Sequence, residues 1–321
     1  MESKGLWALP AVALALIAGG CGGSTAVSGE DRGAEQSSVA SFPVTVEDAT
    51  GKEVAVERRP ERIVSLSPSA TESLFAVGAG EQVIAVDEQS DHPPGVPRTG
   101  LSSYQPNVEA VAGYRPDLVI VPATMPRDAI AGLRSVGLTV FAQPAPERLA
   151  GAYRQIRELG AVTGNPRAGE RVARRVRAKV EAAISEAPGG TPLQVFHELD
   201  PDLFSASSES FIGRIYRRFG LRNIADPAGR RAGTPYPQLS SEAIAAADPD
   251  LVVLADSECC GQNPAKVRER PGWADVTAVQ TGAVVSIDDD IASRWGPRIA
   301  VFAKRVARAI EIARRRSGPA Q

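Results

Sequence analysis

Residues 107–123 read NVEAVAGYRPDLVIVPA, and residues 240–256 read SSEAIAAADPDLVVLAD. The two stretches align without a gap at an offset of 133 (242 − 109 = 133). Each is a short helical pattern, a Pro-Asp turn and a continuous apolar run. An apolar run without polar alternation marks a strand covered on both faces, as in a parallel sheet flanked by helices. A helix–turn–strand unit that returns so far along the chain suggests two lobes of similar architecture. Glu109 and Glu242 hold the same place in the two copies.

The same rhythm extends outward from both copies. Strands are expected at Arg62–Leu66, Val83–Asp87, Leu118–Val121 and Thr139–Ala142, then at Leu193–Leu199, Leu251–Ala255 and Ala283–Ile287. Helices are expected at Ser69–Val77, Arg127–Val136, Phe211–Phe219, Glu242–Ala247 and Trp295–Arg315. The first of these carries a capping-type Ser69 and a Gly78-Ala79-Gly80 stop. An opening hairpin joins Val44–Val46 to Val54–Val56 around Thr50-Gly51-Lys52. Between the halves lies the longest helical pattern, Pro166–Ala187, with Val172, Val176, Val180 and Ile184 on one face. Such a helix is about 33 Å long, enough to run along both lobes. Its Arg174-Arg175-Arg177 cluster reads as a solvated face. The expected fold is therefore α/β, with two Rossmann-like lobes built on central parallel sheets and bridged by one long backbone helix. The lobes would span 43–148 and 190–316, with linking helices over 149–189 (the backbone helix at 166–187) and a tail at 317–321.

With 36 Lys+Arg against 38 Asp+Glu the net charge is −2, which argues against a nucleic-acid binder. Residues 1–20 read as a secretory signal: Lys4, an apolar Leu6–Ala18 too short to span a bilayer, then small residues. Cys21 follows directly, and 21–42 reads as a Gly/Ser-rich flexible tether. The remaining cysteines, Cys259-Cys260, are expected as two small residues in a loop, with a strained bridge between neighbours as the alternative. GxSxG, P-loop, HExxH and GxGxxG patterns are all absent. His197-Glu198 with Asp200 and Asp202 is the one imidazole–carboxylate cluster, read as a solvated strand end. The acidic triple Asp288-Asp289-Asp290 lacks calcium-loop spacing, and neither a metal site nor a resident cofactor is expected.

Taken in order, RIVSLSPSATESLFAVGAG (62–80), SDHPP (90–94), NVEAVAGYRPDLVIV (107–121), PYPQLSSEAI (235–244) and RPGW (270–273) form a recognisable series. The series resembles substrate-binding proteins of ABC importers, of the class with a long backbone helix, and most nearly the cobalamin-binding branch. The likeness runs from about Arg62 to the C-terminal helix. It implies a non-enzymatic extracytoplasmic receptor that captures a cobalamin-like corrinoid in an interlobe cleft and delivers it to an ABC permease dimer with its ATPase. A ferric-siderophore or haem receptor is the second expectation, and a metal-dependent enzyme a remoter one. The likeness places Tyr104, Phe204, Tyr236 and Trp295 along the cleft, with core packing as their alternative. The branch often has Trp at the first and third of these positions. His92 is either a ligand contact or a plain loop histidine. Arg294 either meets an anionic group of the ligand or pairs with Asp288–Asp290. Glu109 and Glu242 are implied to dock on the permease, the alternative being stabilisation of their helix N-termini. Cys21 resembles a lipidated lipobox cysteine, although Ala18 departs from that pattern. A monomer anchored by lipid on the outer side of the cell membrane is expected.

Overall fold

The computed structural model describes residues 41–316. The expected signal 1–20, the lipidation residue Cys21, all but the end of the tether 21–42, and the tail 317–321 lie outside the described residues.

The hairpin pairs β1 (Val44–Glu47) with β2 (Glu53–Val56), Val46 opposite Val54. The Asp48 carboxylate closes its turn by accepting the backbone N–H groups of Thr50 and Lys52, and pairs with Arg134 of the N-terminal lobe. That lobe contains β3 (Ile63–Ser65), α1 (Pro68–Ala76), β4 (Val83–Asp87), β5 (Arg98–Leu101), α2 (Val108–Gly113), β6 (Leu118–Pro122), α3 (Arg127–Ser135) and β7 (Val140–Gln143). Its sheet is wholly parallel in the order β5-β4-β3-β6-β7. Helix α1 is capped by Ser67, not Ser69: the Ser67 hydroxyl accepts from Ala70 N–H, and Pro68 suits the first helical position. Ser69 is thereby free for another partner.

Two antiparallel helices follow, α4 (Leu149–Val162) and α5 (Pro166–Glu186). Their first crossing is tight enough that a Cβ on Gly160 would lie 2.7 Å from the Gly169 Cα, so Gly160 needs glycine, and a Cβ on Gly169 would meet the Gly160 Cα at 3.1 Å. Helix α5 is the backbone helix, ending one residue short of expectation, and it buries Val172, Val176 and Val180.

The C-terminal lobe contains β8 (Gln194–Glu198), α6 (Phe211–Arg218), β9 (Arg222–Asn223), α7 (Asp226–Ala232), α8 (Ser241–Ala247), β10 (Leu251–Leu254), α9 (Ser257–Cys260), α10 (Pro264–Arg268), α11 (Thr277–Thr281), β11 (Val284–Ser286), α12 (Asp289–Ser293) and α13 (Ile299–Arg316). Its sheet is parallel in the order β11-β10-β8-β9. The expected single helix from Trp295 to Arg315 is corrected. Gly296-Pro297 interrupts the chain, so Trp295 sits in the connection between α12 and α13.

The sequence repeat is a structural one. Asn107 and Ser240 each accept a hydrogen bond from the third residue of the following helix. Arg115 and Asp248, equivalent positions, both take left-handed backbone conformations, at φ +48° and +47°. The equivalent Asp117 and Asp250 then accept backbone N–H groups of Arg62 and Gln194, at the starts of the strands beside β6 and β10. The Pro-Asp turn is thus a clip between neighbouring strands, used once per lobe.

One apolar core runs from Ile63 and Ile120 of the first sheet, through α5, to Phe302, Val306 and Ile310 of α13 and to Val195 and Val252 of the second sheet. A separate cluster, including Val119, Val121, Ile130 and Leu133, fills the other face of the first sheet. Each such side chain contributes about 1.5–3 kcal/mol on burial. The lobes are therefore welded through their helices, not joined by a loose hinge.

Candidate ligand cleft

Open parallel sheets bind ligands outside the carboxyl ends of their strands. Here those two edges face a common region, because the segment after β4 meets the segment after β11. Arg294 Nη1 lies 3.0 Å from Asp91 Oδ1, and its Nη2 donates to the Gln89 carbonyl at 2.7 Å. The same guanidinium pairs with Asp290 and lies 3.7 Å from Glu72 Oε1. Arg298 donates through Nε and Nη2 to Glu72 Oε1 at 3.0 and 2.8 Å. The Ser69 hydroxyl accepts the backbone N–H of Trp295 at 3.2 Å. The approach is close here, since a Cβ on Gly296 would sit 2.8 Å from Glu72 Oε2 and 3.2 Å from the Ser69 carbonyl oxygen. These contacts form an ionic clasp between the lobes. Burial acts to raise the Asp91 carboxyl, but the hydrogen bond and charge of Arg294 outweigh it and hold the group below its ordinary value. Burial pushes Asp290 up to about 6 against the opposing pull of Arg294.

Of the expected cleft residues, Tyr104 follows β5 and is 74% exposed. Phe204 follows β8 and is 38% exposed, and Tyr236, before α8, is 44% exposed. The Phe204 and Tyr236 segments are brought together, with Phe204 bridged to Gln238 and Ser205 N–H donating to the Pro237 carbonyl at 2.9 Å. Burial raises the Tyr236 phenol above its usual value, keeping it protonated. None of these three rings is buried in a core. Trp295 is half-buried against the apolar cluster. His92 is half-buried beside Asp91. Arg294 has its guanidinium satisfied by the clasp, the second of its two expected roles. Glu109 and Glu242 are exposed in the first turns of α2 and α8, and neither forms an ion pair among the described residues. Hydrogen bonds from its own backbone N–H and from Ser240 hold Glu242 below its ordinary value.

Beneath the C-terminal edge lies a buried polar layer that corrects the solvated-strand-end reading of His197-Glu198. His197 is fully buried, its Nδ1 2.7 Å from the Tyr216 hydroxyl, and burial drives the imidazole down to about 3. Glu198, also fully buried, is held bidentately by Arg270 at 2.6 and 2.5 Å. Arg270 further donates to Gln262 and lies over the Trp273 ring at 4.8 Å. Asp256, two residues past β10, is buried beside Glu198, and burial reinforced by that neighbour raises its carboxyl to about 7. The roles of Glu72, Glu198 and Arg270 carried one sequence signal: charges placed within otherwise apolar or aromatic stretches such as QVFHE and RPGW.

The cysteine expectation is also corrected, since Cys259 and Cys260 form a vicinal disulfide at the end of α9. The acidic triple is consumed internally. Asp288 caps α12, Asp289 accepts from the N–H groups of Glu258 and Cys259, and Asp290 joins the clasp. Among the described residues no group of three or more His, Cys, Asp or Glu is arranged to hold a metal ion.

The sequence profile of the family described as "Periplasmic binding protein" matches residues 63–291. A "Cobalamin-binding protein" of Halobacterium salinarum is 33% identical over 307 residues, covering 93% of this chain and 82% of the relative. Among solved structures, the periplasmic vitamin B12-binding protein BtuF of Vibrio cholerae is similar with a TM-score of 0.68 at 26% identity, covering 79% of this chain and 98% of that one. The periplasmic heme-binding protein RhuT from Roseiflexus sp. RS-1 is similar with a TM-score of 0.70 at 27% identity, covering 79% and 99%. The chain belongs to the periplasmic binding protein family, whose members are substrate-binding proteins of transport and not enzymes.

Proposed function

We propose that this periplasmic binding protein captures a cobalamin-like corrinoid in its interlobe cleft and hands it to an ABC importer, held on the extracytoplasmic side of the cell membrane by lipid on Cys21. The observation that carries the reading is the pair of exposed phenol rings, Tyr104 and Tyr236, one on each lobe at the carboxyl edge of a parallel sheet. A corrinoid is broad, flat and edged with amides, so it is recognised by aromatic surface and a few polar groups. Phe204 and Trp295 are the further contacts, with His92 at the rim. The 33% identity to a cobalamin-binding relative supports the same ligand class.

Two observations weigh against the alternatives. A haem receptor needs an axial ligand from the protein, and with His197 locked in the core that role falls to rim side chains such as His92, Tyr104 and Tyr236, of which burial pushes the Tyr236 phenol away from ionisation. A corrinoid brings its own axial base. An anionic siderophore calls for free cations, yet Arg294 and Arg298 are already matched by Glu72, Asp91 and Asp290. Glu109 and Glu242, one per lobe and unpaired, suit docking on a two-fold symmetric permease.

The test is a titration of the protein with cyanocobalamin, a ferric siderophore and haemin, following tryptophan and tyrosine fluorescence. Saturable binding of cyanocobalamin, tighter than that of the other two, is expected. Tighter haemin or siderophore binding overturns the corrinoid assignment.

A further inference from the structure

The Cys259–Cys260 disulfide is a group at the carboxyl edges that neither the fold nor the contacts above employ. Both cysteines are exposed at the end of α9, the turn that leaves β10. The sheet order β11-β10-β8-β9 fixes their surroundings. On one side runs the segment after β11, which carries Arg294 and Trp295. On the other runs the segment after β8, which carries Phe204 and is tied to that of Tyr236. The disulfide thus occupies the middle of the C-terminal lip, between the aromatic groups assigned to the ligand.

Its exposure is not looseness. The Asp289 carboxylate accepts the backbone N–H groups of Glu258 at 3.1 Å and Cys259 at 2.7 Å, and Ser257 Oγ lies 3.4 Å from it. The adjoining Asp290 belongs to the interlobe clasp. Gly261 leaves the helix in a left-handed conformation, φ +64°, and Gln262 N–H returns to the Asp256 carbonyl at 3.2 Å. Gln262 also accepts from Arg270, whose own partner Glu198 ends β8. A charged, hydrogen-bonded base therefore holds an uncharged sulfur surface at the lip.

We propose that the Cys259–Cys260 disulfide is a ligand-contacting platform of the C-terminal lobe, which sets its two sulfurs against a flat metallated macrocycle between Trp295 and the Phe204/Tyr236 pair. The inference rests on the reading that the cleft takes such a macrocycle. Divalent sulfur is soft and polarizable and packs well against conjugated rings. Two side chains closed into one ring have few rotamers left to lose on binding, unlike a methionine or leucine in the same place.

The test uses the full chain, wild type and Cys259→Ala/Cys260→Ala, titrated with cyanocobalamin and with haemin. The double variant should bind about 3- to 10-fold more weakly, from the size of sulfur–ring contacts, while melting within a few degrees of the wild type without ligand. A second arm uses wild-type protein alone. The rate at which tris(2-carboxyethyl)phosphine opens the disulfide is read by alkylation and mass spectrometry, with and without saturating ligand, and bound ligand should slow it at least fivefold. Unchanged affinity, or equal reduction rates with and without ligand, overturns the platform while leaving the receptor function standing. A blank wild-type titration with both ligands overturns the receptor reading and the platform together. Should the variant not fold, the protection arm decides alone.

Discussion

Replacing Glu72 by glutamine tests whether the interlobe clasp holds the two lobes as the geometry implies. Glu72 presents a side chain only 2% exposed, and Arg298, 16% exposed, donates to it through two nitrogens. At the shorter distance of 2.8 Å, an effective dielectric of about 20 gives an attraction of roughly 6 kcal/mol. Most of that offsets the desolvation of the two charges, but removing one partner strands the other. Breaking a buried pair in this way costs about 3–5 kcal/mol. Arg298 keeps Asp290 at 3.7 Å, which places the expected loss near the lower end, at about 3 kcal/mol. For a chain of this size that corresponds to a fall in Tm of roughly 6–12 °C. Urea unfolding of Glu72→Gln, Arg298→Gln and the double variant would measure the loss and the coupling together. The exposed pair Glu170–Arg174 serves as a control, expected below about 0.5 kcal/mol. A loss under about 1 kcal/mol, or additive single effects, would refute the clasp as a structural tie.

The remaining expectations concern transport, pH and packing. Glu109→Ala/Glu242→Ala should leave ligand affinity within twofold and abolish uptake in cells, and normal uptake would remove the docking role. Asp256 is raised from 3.8 to about 7, so its contribution is complete below pH 3.8 and is lost as pH rises through 7. Asp256→Asn should accordingly stabilise the protein above pH 7, by roughly 2–4 kcal/mol, and flatten the pH dependence of its urea midpoint between about pH 4 and 7. Parallel curves for variant and wild type would contradict this. His197 is lowered from 6.5 to about 3, so its contribution is present above pH 6.5 and is lost as pH falls through 3. The expected slope is about 1.4 kcal/mol per pH unit, absent in His197→Gln. Gly160→Ala would drive a Cβ into the Gly169 backbone and should lower stability by at least about 1–3 kcal/mol, where an unchanged melting curve would show that the helices simply part.

The fold was legible wherever burial leaves a periodic trace. Continuous apolar strands, the repeat around Glu109 and Glu242, and the four-residue spacing on α5 all report surfaces that must face a core. Reading failed where the trace is short or composite. β5, RTGL, has too little apolar character to be recognised, and β9 has only two residues. The start of α13 differs from the expected Trp295 because that residue continues the apolar face that Gly296-Pro297 interrupts. Of the candidate site, the exposure of Tyr104, Phe204, Tyr236, Glu109 and Glu242 agrees with their expected placement outside a core. The site's ionic half was not legible. Glu72 and Arg298 are 226 residues apart and Glu198 and Arg270 are 72 apart, and nothing in a single chain of letters pairs one buried charge with another at such distance. Arg294 stands between the two cases, since its pairing with the nearby Asp288–Asp290 run is one of the two roles read from sequence, whereas Asp91 and Gln89, more than 200 residues away, are not.

These features bear on how a receptor of this kind would release what it holds. The apolar core continues through α5 and α13 from one sheet to the other, so the helical side of the molecule resists bending. The clasp ties the lobes again between the segments after β4 and β11. On the proposed function, a cleft held from two directions would be largely formed before ligand arrives, which spares the ordering cost of a closing hinge and favours a rigid, flat ligand. The same restraint opposes spontaneous opening. On the proposed function, release then depends on a force applied from outside, and Glu109 and Glu242 stand at equivalent outer positions of the two lobes, where a permease could draw them apart. Such a pull would work against the Arg294 and Arg298 ion pairs, so a weakened clasp should raise the ligand off-rate in solution while making delivery less dependent on the permease. In Glu72→Gln, faster dissociation measured by stopped-flow chase would support that coupling. A dissociation rate equal to that of the wild type, in a variant already shown to have lost the clasp, would mean that the lobes are held by the helical core alone.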